Sequence, residues 1–154
     1  MKEIQNAGLY IIRDEYFAEF ANDKFMFNKN ENRPHYYAIK DKTGILWMIP
    51  LSTKVEKYRR LIENTEKKHK KCVYYHTAPI YGKMRAFVIC DMFPVTEEYI
   101  LRPYKIGNSD YVVMNKNIKQ AVYEKARSYL SMVESGALCS PLNILDIRRK
   151  LLEK

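Results

Sequence analysis

The sequence predicts an α+β fold: a small, highly curved, mostly antiparallel β-barrel core decorated with three or four helices, in a single domain covering residues 1–154. Three observations predict it. The apolar runs are short, five or six in number, and bounded by turn residues. They do not alternate with long helices, as the strands of a doubly wound sheet do. Separate stretches carry helical periodicity with their own start and stop signals. A chain of 154 residues supplies one sizeable core. No internal repeat, linker or low-complexity segment divides it.

The elements follow in order. GLYIIR, residues 8–13, reads as a first strand. DEYFAEF, residues 14–20, reads as a short helix, with Asp14 placed to cap it and Phe17, Phe20 and Ala21 on one face. NDKFMFNKNEN is a polar loop around an aromatic patch. HYYAIKD, the turn DKTG and ILWMIPL form the clearest hairpin in the chain. Pro50 cannot donate to a ladder, which places it at a strand end. Thr53 to Glu56 spells a capping box, T-K-V-E, that opens a helix running to about residue 68. On it Val55, Tyr58, Leu61, Ile62 and Thr65 form one stripe, leaving Arg59, Arg60, Lys67 and Lys70 largely outward.

KCVYYHTAP reads as a strand and KMRAFVICDMFPVT as a longer one, which Asp91-Met92-Phe93-Pro94 ends or bulges. Residues 97–108 read as an irregular connection, and YVVM as a short strand. Asn115 or Asn117 starts a helix with Ile118, Ala121, Val122, Ala126, Tyr129 and Leu130 inward; Gly136 stops it. Ser140-Pro141 starts a last helix that buries Leu142, Leu145, Ile147 and Leu151 or Leu152.

The formal net charge is +9, and it is clustered: between positions 54 and 71 stand eight Lys or Arg against three Glu. Such a field concentrates polyanions. Cys72, Cys90 and Cys139 are an odd, dispersed set, which argues against a disulfide framework or a zinc site, and Cys90 in AFVIC reads as buried filler. His35, His69 and His76 offer no metal cluster. No apolar signal segment or membrane-length run is present, so a reducing cytoplasm is the expected home. No helix-turn-helix, zinc finger or nucleotide-binding glycine loop occurs.

Chemistry is expected where the hairpin meets the basic helix. Ser52, Thr53 and Lys54 leave the sheet together, and the amides of a helix first turn can bind a phosphate. Ser52 could donate to a non-bridging oxygen while Lys54 neutralises charge. Thr53 is equally read as the helix cap, and the two uses are compatible. His35 could carry a proton near neutral pH or be a strand histidine without a role. The basic helix is either a polyanion track or a solvated face. Tyr36, Tyr37, Tyr74, Tyr75 and Tyr81 lie among basic residues. Alternation turns one of each adjacent pair outward, where it can stack on an unpaired base.

Four stretches together resemble a known family. They are LYIIRDEYFAEF; NRPHYYAIKDKTGILWMIPLSTK; RAFVICDMFPVTEEYI; and the long helix followed by CSPLNILDIRRKLLEK. In order and spacing the chain resembles the endoribonuclease toxins of type III toxin–antitoxin systems, whose antitoxin is a repeated RNA. The resemblance implies the curled β-barrel fold of toxin–antitoxin RNases. It implies metal-independent, sequence-selective cleavage of single-stranded messenger RNA, with no cofactor. It also implies a repeat-derived pseudoknot RNA antitoxin, cut from its precursor by the toxin, a closed head-to-tail toxin–RNA assembly and no protein antitoxin. Growth inhibition and phage defence are the usual outcomes.

The family's hydroxyl pair falls on Ser52 and Thr53, its nearby lysine on Lys54, its basic residue beside the strand-opening proline on Arg33 or His35, and its first-helix tyrosine on Tyr16. The expected catalytic set is therefore Ser52, Thr53, Lys54, His35 and Tyr16. The expected RNA-binding set is Arg33, Tyr36, Tyr37, Arg59, Arg60, Lys67, Lys68, Lys70, Lys71, Tyr75, Tyr81 and Arg85. The alternative is a non-catalytic RNA-binding module.

Overall fold

A computed structural model describes residues 3–20, 31–68 and 71–154. Lys70 and most of the expected polar loop, residues 22–30, lie outside the described residues. Among the described residues nine strands are formed: β1 (Leu9–Ile12), β2 (His35–Lys40), β3 (Leu46–Ser52), β4 (Tyr75–Ile80), β5 (Lys83–Val88), β6 (Phe93–Val95), β7 (Ile100–Pro103), β8 (Lys105–Ile106) and β9 (Ser109–Asp110). The helices are α1 (Asp14–Phe20), α2 (Val55–Lys68), α3 (Lys116–Glu134) and α4 (Ile144–Leu152). The strands pair antiparallel in the order β4-β5-β3-β2-β1-β7, with β6 also on β3, and β8–β9 form a small separate ribbon.

This α+β architecture corrects the expected barrel. The sheet is open, since β4 and β7 are its two edges and do not pair. Both edges carry a proline, Pro79 in β4 and Pro103 in β7, and a residue without an N–H suits an edge. Helices do the work that closure would have done. α3 packs on β2, α4 on β6, and α2 covers β4 and β5. β1 and β3 are buried along their whole length, which accounts for near-continuous apolar runs in place of alternation.

The β2–β3 hairpin and α1–α3 fall where the sequence puts them. Asn115 caps α3, its side chain accepting from the N–H groups of Asn117 and Ile118. Ser140 accepts from the Leu142 N–H, but α4 begins only at Ile144. Residues 97–108 are more regular than expected: Ile100–Pro103 adds to β1 as an edge strand. The expected strand at 111–114 is reduced to one bridge, Gly8 to Val112.

The long strand from Lys83 is broken in two. Between the pairs Met48–Phe93 and Leu51–Phe87, β3 advances three residues while its partner advances six. The surplus forms a 3-10 turn at Ile89–Asp91. Ile49 and Pro50 face this excursion, so Pro50 sits inside β3 at a gap in the ladder where no N–H is needed.

Candidate functional site at the junction of β3 and α2

At the end of β3 the chain turns directly into α2, and the hydroxyl that holds the helix start is Ser52 rather than Thr53, where the cap was expected. Ser52 is 7% exposed and its Oγ accepts from the Lys54 N–H at 3.1 Å. Ser52 is therefore the residue that holds the start of the helix. Thr53 and Lys54 are exposed. The capping box is not completed through Glu56, whose carboxylate pairs with Arg59. An exposed hydroxyl and an ammonium thus stand beside the first-turn amides of α2.

A polar cluster lies behind the junction. Arg33 is 6% exposed and donates from its Nη2 to the Leu51 carbonyl at 2.6 Å. Burial works against its charge, and Tyr58 and Asp91 offset that cost. The 3-10 excursion places Cys90 and Asp91 half-buried on the same side. Burial raises the Asp91 carboxyl above its ordinary range, against the opposing pull of Arg33 and Lys57. Burial and the neighbouring Asp91 push the Cys90 thiol up to about 12. Tyr75 packs on Tyr58 with ring centroids 5.1 Å apart. Lys57 lies over the Tyr58 ring at 5.2 Å. Asp91 thus acts on Arg33 and Lys57, and the exposed Thr53 and Lys54 follow directly on the Leu51 carbonyl that the buried guanidinium holds.

Arg59, Arg60, Lys67 and Lys68 are exposed along α2, and Lys71 is exposed just beyond it. Tyr58 is buried and Val55, Leu61, Ile62 and Thr65 are half-buried, as the apolar stripe requires. The outward face is therefore basic and continuous with the Thr53–Lys54 corner.

Six expected site residues are elsewhere. Tyr16 is fully buried and donates to the Pro94 carbonyl at 2.7 Å, tying α1 to β6. His35 is 1% exposed, 5.3 Å from Phe93 edge-on, so it is not on a surface strand. Burial, with the Arg33 charge adding to it, lowers its pKa to about 3. A ring that stays neutral across the physiological range does not exchange protons there. Tyr36 and Tyr37 are both buried, because β2 lies between β1 and β3 with α3 over it, so neither presents a ring for stacking. Arg33 is likewise a buried support rather than a surface contact. Tyr81 and Arg85 belong to the β4–β5 hairpin.

Sequence reading missed Asp91, Lys57 and Tyr58. The signal available was the bulge at Asp91-Met92-Phe93-Pro94, since an irregularity in a central strand re-aims side chains. Among the described residues no three His, Cys, Asp or Glu side chains gather to hold a metal ion. No helix there is long and apolar enough to cross a membrane. The sequence matches no protein-family model, and no curated protein is significantly similar to it.

Proposed function

We propose that this protein is a metal-independent, sequence-selective endoribonuclease toxin of the type III kind. In this reading it acts in the cytoplasm on single-stranded messenger RNA and on its own repeat precursor. A bound pseudoknot RNA inhibits it in a closed head-to-tail assembly. The observation that carries the reading is the β3–α2 junction, where exposed Thr53 and Lys54 follow the Leu51 carbonyl that buried Arg33 holds, at the head of a basic helix face, with half-buried Asp91 acting on Arg33 and Lys57. The resemblance carried by the four sequence stretches supports the same assignment.

The chemistry divides as follows. The 2′-oxygen attacks the adjacent phosphorus, the bond to the 5′-oxygen breaks and that oxygen takes a proton from solvent water, leaving a 2′,3′-cyclic phosphate and a 5′-hydroxyl. Asp91, its carboxyl raised by burial, is suited to take the 2′-proton. Thr53 donates to a non-bridging oxygen, and Lys54 with the first-turn amides neutralises the charge that develops. Ser52 and Arg33 position the corner. The exposed cations of α2 hold the flanking backbone.

The test is to incubate the purified protein with single-stranded RNA in EDTA and analyse the new ends. Cleavage leaving cyclic phosphate and 5′-hydroxyl is the expected result. Loss of activity on chelation, or 3′-hydroxyl and 5′-phosphate ends, overturns the mechanism. RNA that is bound but left intact points to a non-catalytic RNA-binding module.

A further inference from the structure

The β4–β5 hairpin breaks a local rule. Its two-residue turn is Tyr81-Gly82, with φ of +50° and +77°. Positive φ at both positions is the type I′ geometry, for which Asn-Gly is the favoured pair. A bulky residue at positive φ is an outlier, and strain of this kind is retained where it serves a site. Tyr81 repays nothing to the core, since it is 68% exposed. It is nevertheless held in place. Its N–H donates to the Tyr111 hydroxyl at 3.1 Å, and the two rings meet edge to face at 6.2 Å.

Beside this turn lies a cleft of about 330 Å³. That size is at the lower end of small-molecule pockets, roughly 300–1,000 Å³, and suits one nucleotide rather than a helix. Pro34, Leu51 and Ile80 give it an apolar wall, and Lys83 and Arg85 supply positive charge, with no acidic residue in the lining. Leu51 lies in β3 two residues before Thr53, which follows the end of that strand.

We propose that this cleft binds one unpaired RNA nucleotide, its base on the apolar wall under the Tyr81 ring and its phosphate at Lys83 and Arg85. The inference rests on the reading of the protein as RNA-handling and deepens it. The pocket beside the scission corner reads a splayed-out base, and the Tyr111 hydroxyl and ring keep its aromatic lip in place against the strain of the turn. Duplex RNA, whose bases are stacked and paired, cannot fill it.

The experiment uses the full chain and a 2′-O-methylated single-stranded 12-mer, which lacks the attacking hydroxyl, with binding read by fluorescence anisotropy. Tyr81→Asn installs the residue the turn prefers, so its melting temperature holds or rises, while affinity falls roughly five- to 150-fold, the range for one lost stacked base. Tyr81→Phe retains near wild-type affinity, and the duplex form of the 12-mer is insensitive to either change. Affinity within twofold of wild type in Tyr81→Asn overturns the proposal, as does equal loss in Tyr81→Phe or an equal effect on duplex. The cleavage reading is judged separately with unmodified RNA in EDTA. A protein that leaves that RNA intact but shows the Tyr81 dependence keeps the pocket and loses the nuclease.

Discussion

Tyr16 and His35 are sealed between α1, β2 and β6, whereas Thr53 and Lys54 stand in solvent where β3 meets α2. Both regions bring polar groups together, and both have titratable groups moved from their ordinary values. In the sealed region the polar atoms answer to the fold. The Tyr16 hydroxyl satisfies a buried carbonyl, and Phe17 and Phe93 pack near the His35 ring. At the junction the buried groups, Ser52 and Arg33, support exposed ones. A displaced pKa identifies a buried group; access decides whether chemistry can use it.

The largest effect expected is on the sealed side. Tyr16→Ala removes a fully buried ring and leaves the Pro94 carbonyl without its donor. The cost is about 3–5 kcal/mol. Thermal melting should fall by roughly 10 °C, while cleavage per folded molecule stays near wild type. A large loss of rate at unchanged stability would break the contrast, because it would make Tyr16 part of the site.

Acid should act on the same region. His35 ordinarily titrates at 6.5 and in the fold at about 3, so below pH 6.5 the unfolded chain takes up the proton first. Stability is full above that value and is lost as pH falls toward 3. By pH 4.5 this one group costs about 2.7 kcal/mol. His76, lowered to about 4 by burial with Lys125 adding to it, contributes in the same direction. Denaturant midpoints between pH 7 and 4.5 measure the slope, which should become shallower in His35→Asn. A flat profile would mean that His35 is not sealed.

A smaller change sharpens the division within the junction itself. Ser52→Ala loses the side chain that accepts from Lys54 N–H, at a cost of about 1 kcal/mol of stability. Thr53→Ala should leave the melting temperature nearly unchanged. The reverse order would return the capping role to Thr53. On the basic face, replacing Arg59 and Arg60 with alanine should flatten the plot of log affinity against log salt by about one unit or more. Which RNA is preferred should not change, because phosphate contacts position and base contacts specify. An affinity independent of salt would make the face only solvated.

The local features were legible in the sequence. The DKTG turn between two apolar runs marks the β2–β3 hairpin, α2 shows its stripe, and Asn115 announces α3. Each depends on neighbours a few residues away. What was hidden depends on distant partners. Ile100–Pro103 becomes a strand only because β1, some ninety residues earlier, offers an edge. The open sheet replaces a barrel because α2, α3 and α4 cover faces that closure would have covered. Tyr36 and Tyr37 are buried together because alternation predicts an outward face only where one face is left to water. Ser52, and not Thr53, accepts from the Lys54 N–H at the start of α2, a distinction that adjacent hydroxyl residues do not encode. Asp91 enters the cluster through a bulge that the sequence marked without showing where it aims.

The most direct test of the junction is single-turnover cleavage of single-stranded RNA by Thr53→Ala and Lys54→Ala, measured beside their melting temperatures. Each exposed group is expected to stabilise charge in the transition state and to contribute little to the fold. Loss of one such donor should slow cleavage about 10²–10³-fold, with stability shifted by no more than about 0.5 kcal/mol. Rates within threefold of wild type in both variants would contradict the account and remove the β3–α2 junction from the active site.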